Sequence, residues 1–194
     1  MENYSKTEIL NSFVAGEYEQ IFCDKCMNTF ATNVYDFDEG HVILEKRALG
    51  LEYFCNAIHQ FGLSSFPDVM RIGVLDEDDQ IITLPPEGEL FQKKETDYRY
   101  LYLMEKLQHL DEEDAQVFNE YTKDLDWKDE AERVRALKKV EEHYGAGLTR
   151  EIELLFAYYQ KYKEYILWDL HGDNLMRRPV TEELVILDPF AINS

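Results

Sequence analysis

From residue 48 to 61 the apolar side chains Leu51, Phe54, Cys55, Ile58 and Phe61 recur at helical intervals, and Gly62 follows as a stop, so this stretch predicts an amphipathic helix. The chain before it reads differently. Residues 1–17 suggest a short leading helix, and residues 18–47 suggest short strands broken at Asp38, Glu39 and Gly40, with a strand at 41–44. Residues 69–75 and 81–84, parted by the acidic turn from Asp76 to Gln80, predict a hairpin. Pro85, Pro86, Glu87 and Gly88 then form a loop leading to a Tyr- and Leu-rich strand at 98–104. Beyond Lys106 the pattern turns helical. Asp126 can cap a helix running to about Tyr144, with Ala131, Val134, Leu137 and Val140 on one face and Gly145 past its end. Thr149 can cap the next, whose Ile152, Leu155, Phe156, Tyr159, Tyr162 and Ile166 form an apolar stripe.

Composition narrows the class. The chain has 194 residues, 45% hydrophobic and 13% aromatic, enough to bury a core and too much for a disordered tail. No apolar run approaches the roughly 18 residues that span a bilayer, and the opening MENYSKTEIL has no signal-peptide core, so the expectation is a soluble cytoplasmic protein without a membrane partner. Forty acidic against twenty basic residues give a formal charge of −20, which opposes nucleic-acid binding through phosphates. The acid is spread out, with local runs at 76–79 and 111–114. It reads either as a solvated surface or as one that attracts a basic partner or imitates nucleic acid. Cys23, Cys26 and Cys55 are an odd count, against a disulfide framework. The Cys23–Cys26 pair lacks a second C-x-x-C or an H-x-x-x-H to complete a zinc site, which leaves core or loop thiols.

The chemistry concentrates near the end of the chain, in WDLHGDNLM (168–176) and LVILDPF (184–190). Phosphoryl transfer needs an Asp to orient and accept the proton of an attacking hydroxyl, an amide oxygen five residues later for a metal, and a second Asp on the next strand to bridge metal and phosphates. Asp169, Asn174 and Asp188 meet those demands, and the fourteen positions from Asn174 to Asp188 suit one strand-turn-strand. LVIL is a run of β-formers that delivers the Asp where the strand ends. His171, between the first Asp and the Asn, suits a phosphate-facing donor better than a metal ligand. The plain alternative is a polar turn followed by an ordinary buried strand.

These residues resemble the kinase-like superfamily, which includes protein kinases and aminoglycoside phosphotransferases. The similarity is closer to the early protein kinase domain of T7-like bacteriophages, with its D-x-H-x-x-N loop and I-x-D-P strand. The segment from Asn28 to Tyr35 is similar to that family's phosphate loop, without its glycines. The resemblance implies an α+β, two-lobed protein-kinase-like fold: a small β-rich N-lobe and hinge over residues 1–106, then a truncated helical C-lobe with the catalytic loop over 107–194. It implies ATP and Mg²⁺ as cofactors, with serine/threonine phosphorylation of a host protein as the activity. Asp169 would be the catalytic base, with His171 beside it. Asn174 and Asp188 would hold metal and nucleotide, and Met104, Glu105 and Lys106 would be the hinge that meets adenine through backbone groups. Lys46 would serve the phosphates with Glu52 as its partner, although a gap-free alignment puts Leu44 at the lysine's place and Lys46 also reads as a solvent-facing strand end.

The chain ends six residues after Asp188, so a peptide substrate would be held by residues 107–148, by the acidic surface or by a partner. Two functions of different class follow. One is an ATP-dependent phosphotransferase acting on host proteins. The other is a degenerate kinase fold serving as an acidic inhibitor of a host enzyme or defence system by binding. A small-molecule kinase of the aminoglycoside type is a third.

Overall fold

The computed structural model describes residues 5–21, 32–47, 49–82, 98–122 and 125–192. It is a mixed α+β protein that divides into two compact units. One holds the described residues up to Leu49 together with Pro67–Lys106, and the other holds Gly50–Phe66 and the described residues from Leu107 onward. The helix between residues 50 and 61 therefore belongs to the second unit.

The first unit is an antiparallel sheet. Its strands are β1 (Gln20–Ile21), β2 (Thr32–Asp36), β3 (His41–Lys46), β4 (Val69–Leu75) and β5 (Arg99–Glu105), in the order β1-β2-β3-β5-β4. Alternation along β3 gives the sheet two faces. Ile43 on β3, with Ile72 and Leu75 on β4 and Leu101 and Leu103 on β5, packs under helix α1 (Lys6–Val14), which contributes Ile9 and Leu10. Removing such side chains from water is worth about 1.5–3 kcal/mol each. The other face carries the register pairs Val42 with Met104, Leu44 with Tyr102, and Lys46 with Tyr100, all buried. The short leading helix expected within residues 1–17 runs from Lys6 to Val14, and Ser5 caps it, accepting from the Glu8 amide.

The expected hairpin is described as far as Ile82: Ile81 bridges Leu75 and Ile82 N donates to Val74 O at 2.9 Å, while β4 also pairs along its length with β5. Thr83, Leu84 and the 85–88 loop lie outside the described residues. The turn itself is built by its acids: Asp76 Oδ1 accepts from the amides of Asp78 and Gln80 at 2.9 Å, and Asp79 takes the left-handed conformation at φ 61°. Arg99 binds Asp79 and, at 3.0 Å, Glu45. Glu45 is buried and also accepts from Asn33 Nδ2 and the Tyr35 hydroxyl, both at 2.9 Å. Burial and that bond to the carboxylate push the Tyr35 phenol up to about 12.

Among its described residues the second unit has four helices, α2 (Gly50–Phe61), α3 (Glu112–Thr122), α4 (Glu130–Tyr144) and α5 (Ala146–Tyr162). It also has β7 (Ile166–Trp168) paired with β10 (Phe190–Ile192), and a three-stranded sheet of β6 (Gln108–His109), β8 (Leu175–Arg177) and β9 (Leu184–Ile186) in the order β6-β8-β9. Helix α2 stops at Gly62 with φ +60°, as its sequence predicts. Three details of the helical region differ from expectation. Asp129, not Asp126, caps α4, accepting from Ala131 and Glu132 amides, while Asp126 bonds the amide of Lys128 in the preceding turn. The buried face of α4 is Ala136, Leu137 and Val140, and Val134 is exposed. Helix α5 starts at Ala146, before Thr149, whose hydroxyl donates back to Gly145 O within the first turn, and it ends at Tyr162, so Ile166 packs from β7 instead. Trp127, Phe156, Tyr159 and Trp168 cluster as an aromatic core with ring centroids 4.8–5.9 Å apart.

Candidate functional site

Strand β7 ends at Trp168 and releases Asp169; β9 ends at Ile186 and releases Asp188 two residues on. Between them lies the extended residue His171, then the 3₁₀ turn Gly172–Asn174, then β8. Backbone bonds fix the two ends side by side. Asp169 N donates to Pro189 O at 2.9 Å, and Leu187 N donates to Asn174 O at 2.8 Å, continuing the β8–β9 ladder.

Asn174 closes the site. Its Nδ2 donates to the carbonyl of Asp169 at 2.6 Å and to that of Asp188 at 3.2 Å. Only the amide nitrogen can serve two carbonyls, so the side chain's orientation is determined and Oδ1 is the atom left to turn toward a cation. Asp188 sits at φ 53°, left-handed for a residue with a side chain, a conformation that Asp tolerates better than most and that collects at functional positions.

The side chain of Asp169 is about half exposed. Desolvation raises its pKa above the ordinary carboxylate range, nearby His171 opposes the rise, and the charge of Asp188 adds to it. The imidazole of His171 lies between two carboxylates, 4.0 Å from Asp169 through Nε2 and 3.6 Å from Asp173 through Nδ1.

Asp169, His171, Asn174 and Asp188 thus lie together. Glu52 is in the same unit, buried on α2. That helix begins against the segment after β9: a Cβ on Gly50 would stand 2.3 Å from Phe190 O, so only glycine fits. Lys46, Met104 and Glu105 belong to the other unit, on β3 and β5. Lys46 is buried, which removes the reading of a solvent-facing strand end. Of the backbone groups of the expected hinge, two N–H groups are engaged within the first unit: Glu105 N donates to Asp68 O at 3.0 Å and Lys106 N to Gly40 O at 2.7 Å. Cys23, Cys26 and residues 28–31 of the suggested phosphate segment lie outside the described residues, and residues 32–35 lie on β2.

Several positioning residues were not visible in the sequence. Glu151 on α5 is buried, and its two oxygens accept from Ser64 N, Ser64 Oγ and Ser65 N at 2.8–2.9 Å. Ser65 O in turn accepts from Ile186 N at 2.8 Å, two residues before Asp188. Asn119 on α3 bonds the Gly172 amide. The acidic run at 111–114 is also structural in part: Asp111 caps α3 through the Asp114 amide, and Asp114 pairs with Arg177 of β8.

Compared with family models and with curated proteins, the chain matches none. Among the described residues, no helix is long and apolar enough to cross a membrane.

Proposed function

We propose that the protein is an ATP- and Mg²⁺-dependent phosphotransferase of the protein-kinase-like type, acting on serine or threonine hydroxyls of a host protein. The observation that carries this is the pair of bonds from Asn174 Nδ2 to the main-chain carbonyls of Asp169 and Asp188, which ties the backbone of a base-type Asp and of a second Asp to one amide. The order of elements supports it: a sheet with one helix between its third and fourth strands, then helices, then the hairpin. Among the described residues no cluster of three His, Cys, Asp or Glu suits a metal by itself. The donors at hand, Asn174 Oδ1 and the Asp188 carboxylate, are hard oxygens of the kind Mg²⁺ accepts beside phosphates and water.

In this reading Asp169 orients the acceptor hydroxyl and takes its proton, and its raised pKa makes it a stronger base than an ordinary carboxylate. His171 faces the phosphates, with Asp173 orienting its ring. Bound Mg²⁺ would neutralise phosphate charge during transfer.

The engaged N–H groups of Glu105 and Lys106 favour the second reading, an acidic module that inhibits a host enzyme or defence system by binding. One experiment separates them. Purified protein is incubated with labelled ATP, Mg²⁺ and host lysate, beside Asp169→Ala and Asp188→Ala. A phosphotransferase loses transfer but keeps nucleotide affinity in the first variant and loses both in the second. No labelling, together with no melting shift at millimolar Mg²⁺ and ATP, leaves the binding module.

A further inference from the structure

We propose that Asn119 is the positioning residue of the catalytic loop, and that helix α3 is the element through which the loop's geometry is set. The inference rests on the phosphotransferase reading for its activity readout alone. Asn119 Oδ1 accepts from the Gly172 amide at 2.7 Å, across 53 residues of sequence. Gly172 lies midway between His171 and Asp173, inside the interval that fixes Asp169 to Asn174.

Its fit against the helix is close. A Cβ at 172 would stand 2.4 Å from Ala115 O and 2.9 Å from Asn119 Nδ2, so a side chain there would push the turn off α3. The helix itself is pinned by two residues beside this contact. Phe118 is fully buried with its ring 5.9 Å from Tyr144, and Asp114 pairs with Arg177 at the far end of β8. The 3₁₀ turn is therefore held between a fixed helix and the strand it feeds. The Gly172 amide, at the start of the turn, has its acceptor in the Asn119 side chain. Releasing that amide lets the turn rotate and draws Asn174 Nδ2 away from the carbonyls of Asp169 and Asp188.

The test compares Asn119→Ala, which removes the acceptor, with Asn119→Asp, which keeps an oxygen at the same place. In the full-length protein at pH 8, exchange of the Gly172 amide should accelerate roughly tenfold in the Ala variant and return to within about threefold in the Asp variant. For phosphoryl transfer, Asn119→Ala should lower kcat roughly tenfold with KM for ATP within about threefold, and Asn119→Asp should recover most of the rate. The proposal is overturned by unchanged Gly172 exchange in Asn119→Ala. It is overturned equally by exchange that accelerates while kcat stays within about twofold, or by an Asp variant that restores neither. If the unsubstituted protein transfers no phosphate, the functional reading fails separately, and Gly172 exchange in the two variants still decides the positioning role.

Discussion

Asp169 is ionised at a cost. Its native pKa lies above the value near 3.9 of an unfolded chain, through desolvation first and the charge of Asp188 after it. Between those two pKa values the native state binds more protons than the unfolded state, so this group's contribution to stability falls as pH rises through that window and stays lowered above it. Asp169→Asn should therefore flatten the loss of stability as pH rises above the unfolded value and leave the melting temperature at neutral pH equal or higher; melts across pH read this directly. In the same window the acid limb of a transfer-rate profile should sit above pH 4. Asn174 predicts the opposite direction. Asn174→Ala removes two donors to backbone carbonyls and should lower stability by about 1–3 kcal/mol. Asn174→Asp turns an acceptor toward those carbonyls and should cost at least as much at pH 8, as compared by denaturant midpoints.

The helix caps test how far local chemistry decides an element. Asp129→Ala should destabilise by about 1 kcal/mol, since it frees the amides of Ala131 and Glu132, whereas Asp126→Ala should cost less because it loses a single turn bond. Urea midpoints of the two variants check the ranking. Asp126 and Asp129 have the same side chain at either end of one short turn, and what separates them is where the first helical hydrogen bond closes, which the sequence does not mark. Strand β3, helix α2 and the β8–β9 hairpin were legible because their signals are local: apolar spacing, Gly62 as a stop, and a β-forming run after a polar turn. The four residues grouped at the candidate site were legible for the same reason, lying within twenty positions of one another. Asn119 and Glu151 were not, because their partners stand 53 and 87 positions away and an isolated polar residue on a helix carries no sign of what it will meet. Helix α3 was hidden by its own charge, because Asp111, Glu112, Glu113 and Asp114 read as a solvated run although the first caps the helix and the last binds Arg177.

At the scale of the whole molecule, the −20 charge divides into acids with internal work and acids without described partners. Removing Asp111 or Asp114 would loosen α3 as well as change the surface, so a test of electrostatic partner capture should use Glu112→Gln with Glu113→Gln. If a basic partner is drawn in by this surface, that double variant should slow association, and raising salt from about 50 to 300 mM should slow the unsubstituted protein in the same way, as exposed charges are screened beyond roughly a Debye length. Stopped-flow association rates measure both, and nucleotide binding should not change. The chain also leaves its first unit at Leu49 and returns at Pro67, depositing α2 in the second. For a protein made from its N-terminus this is an order of events. Ser64 and Ser65 emerge 86 or more residues before Glu151, the side chain that holds them, an interval of roughly 4–17 s at ordinary elongation rates. Throughout that interval Leu51, Tyr53 and Phe54, all destined for full burial, lie on a helix whose partners β10 and α5 are still to be made or completed. A nascent chain stalled near residue 110 should be cleaved between 50 and 66 and bound there by chaperones, while one released at full length resists both.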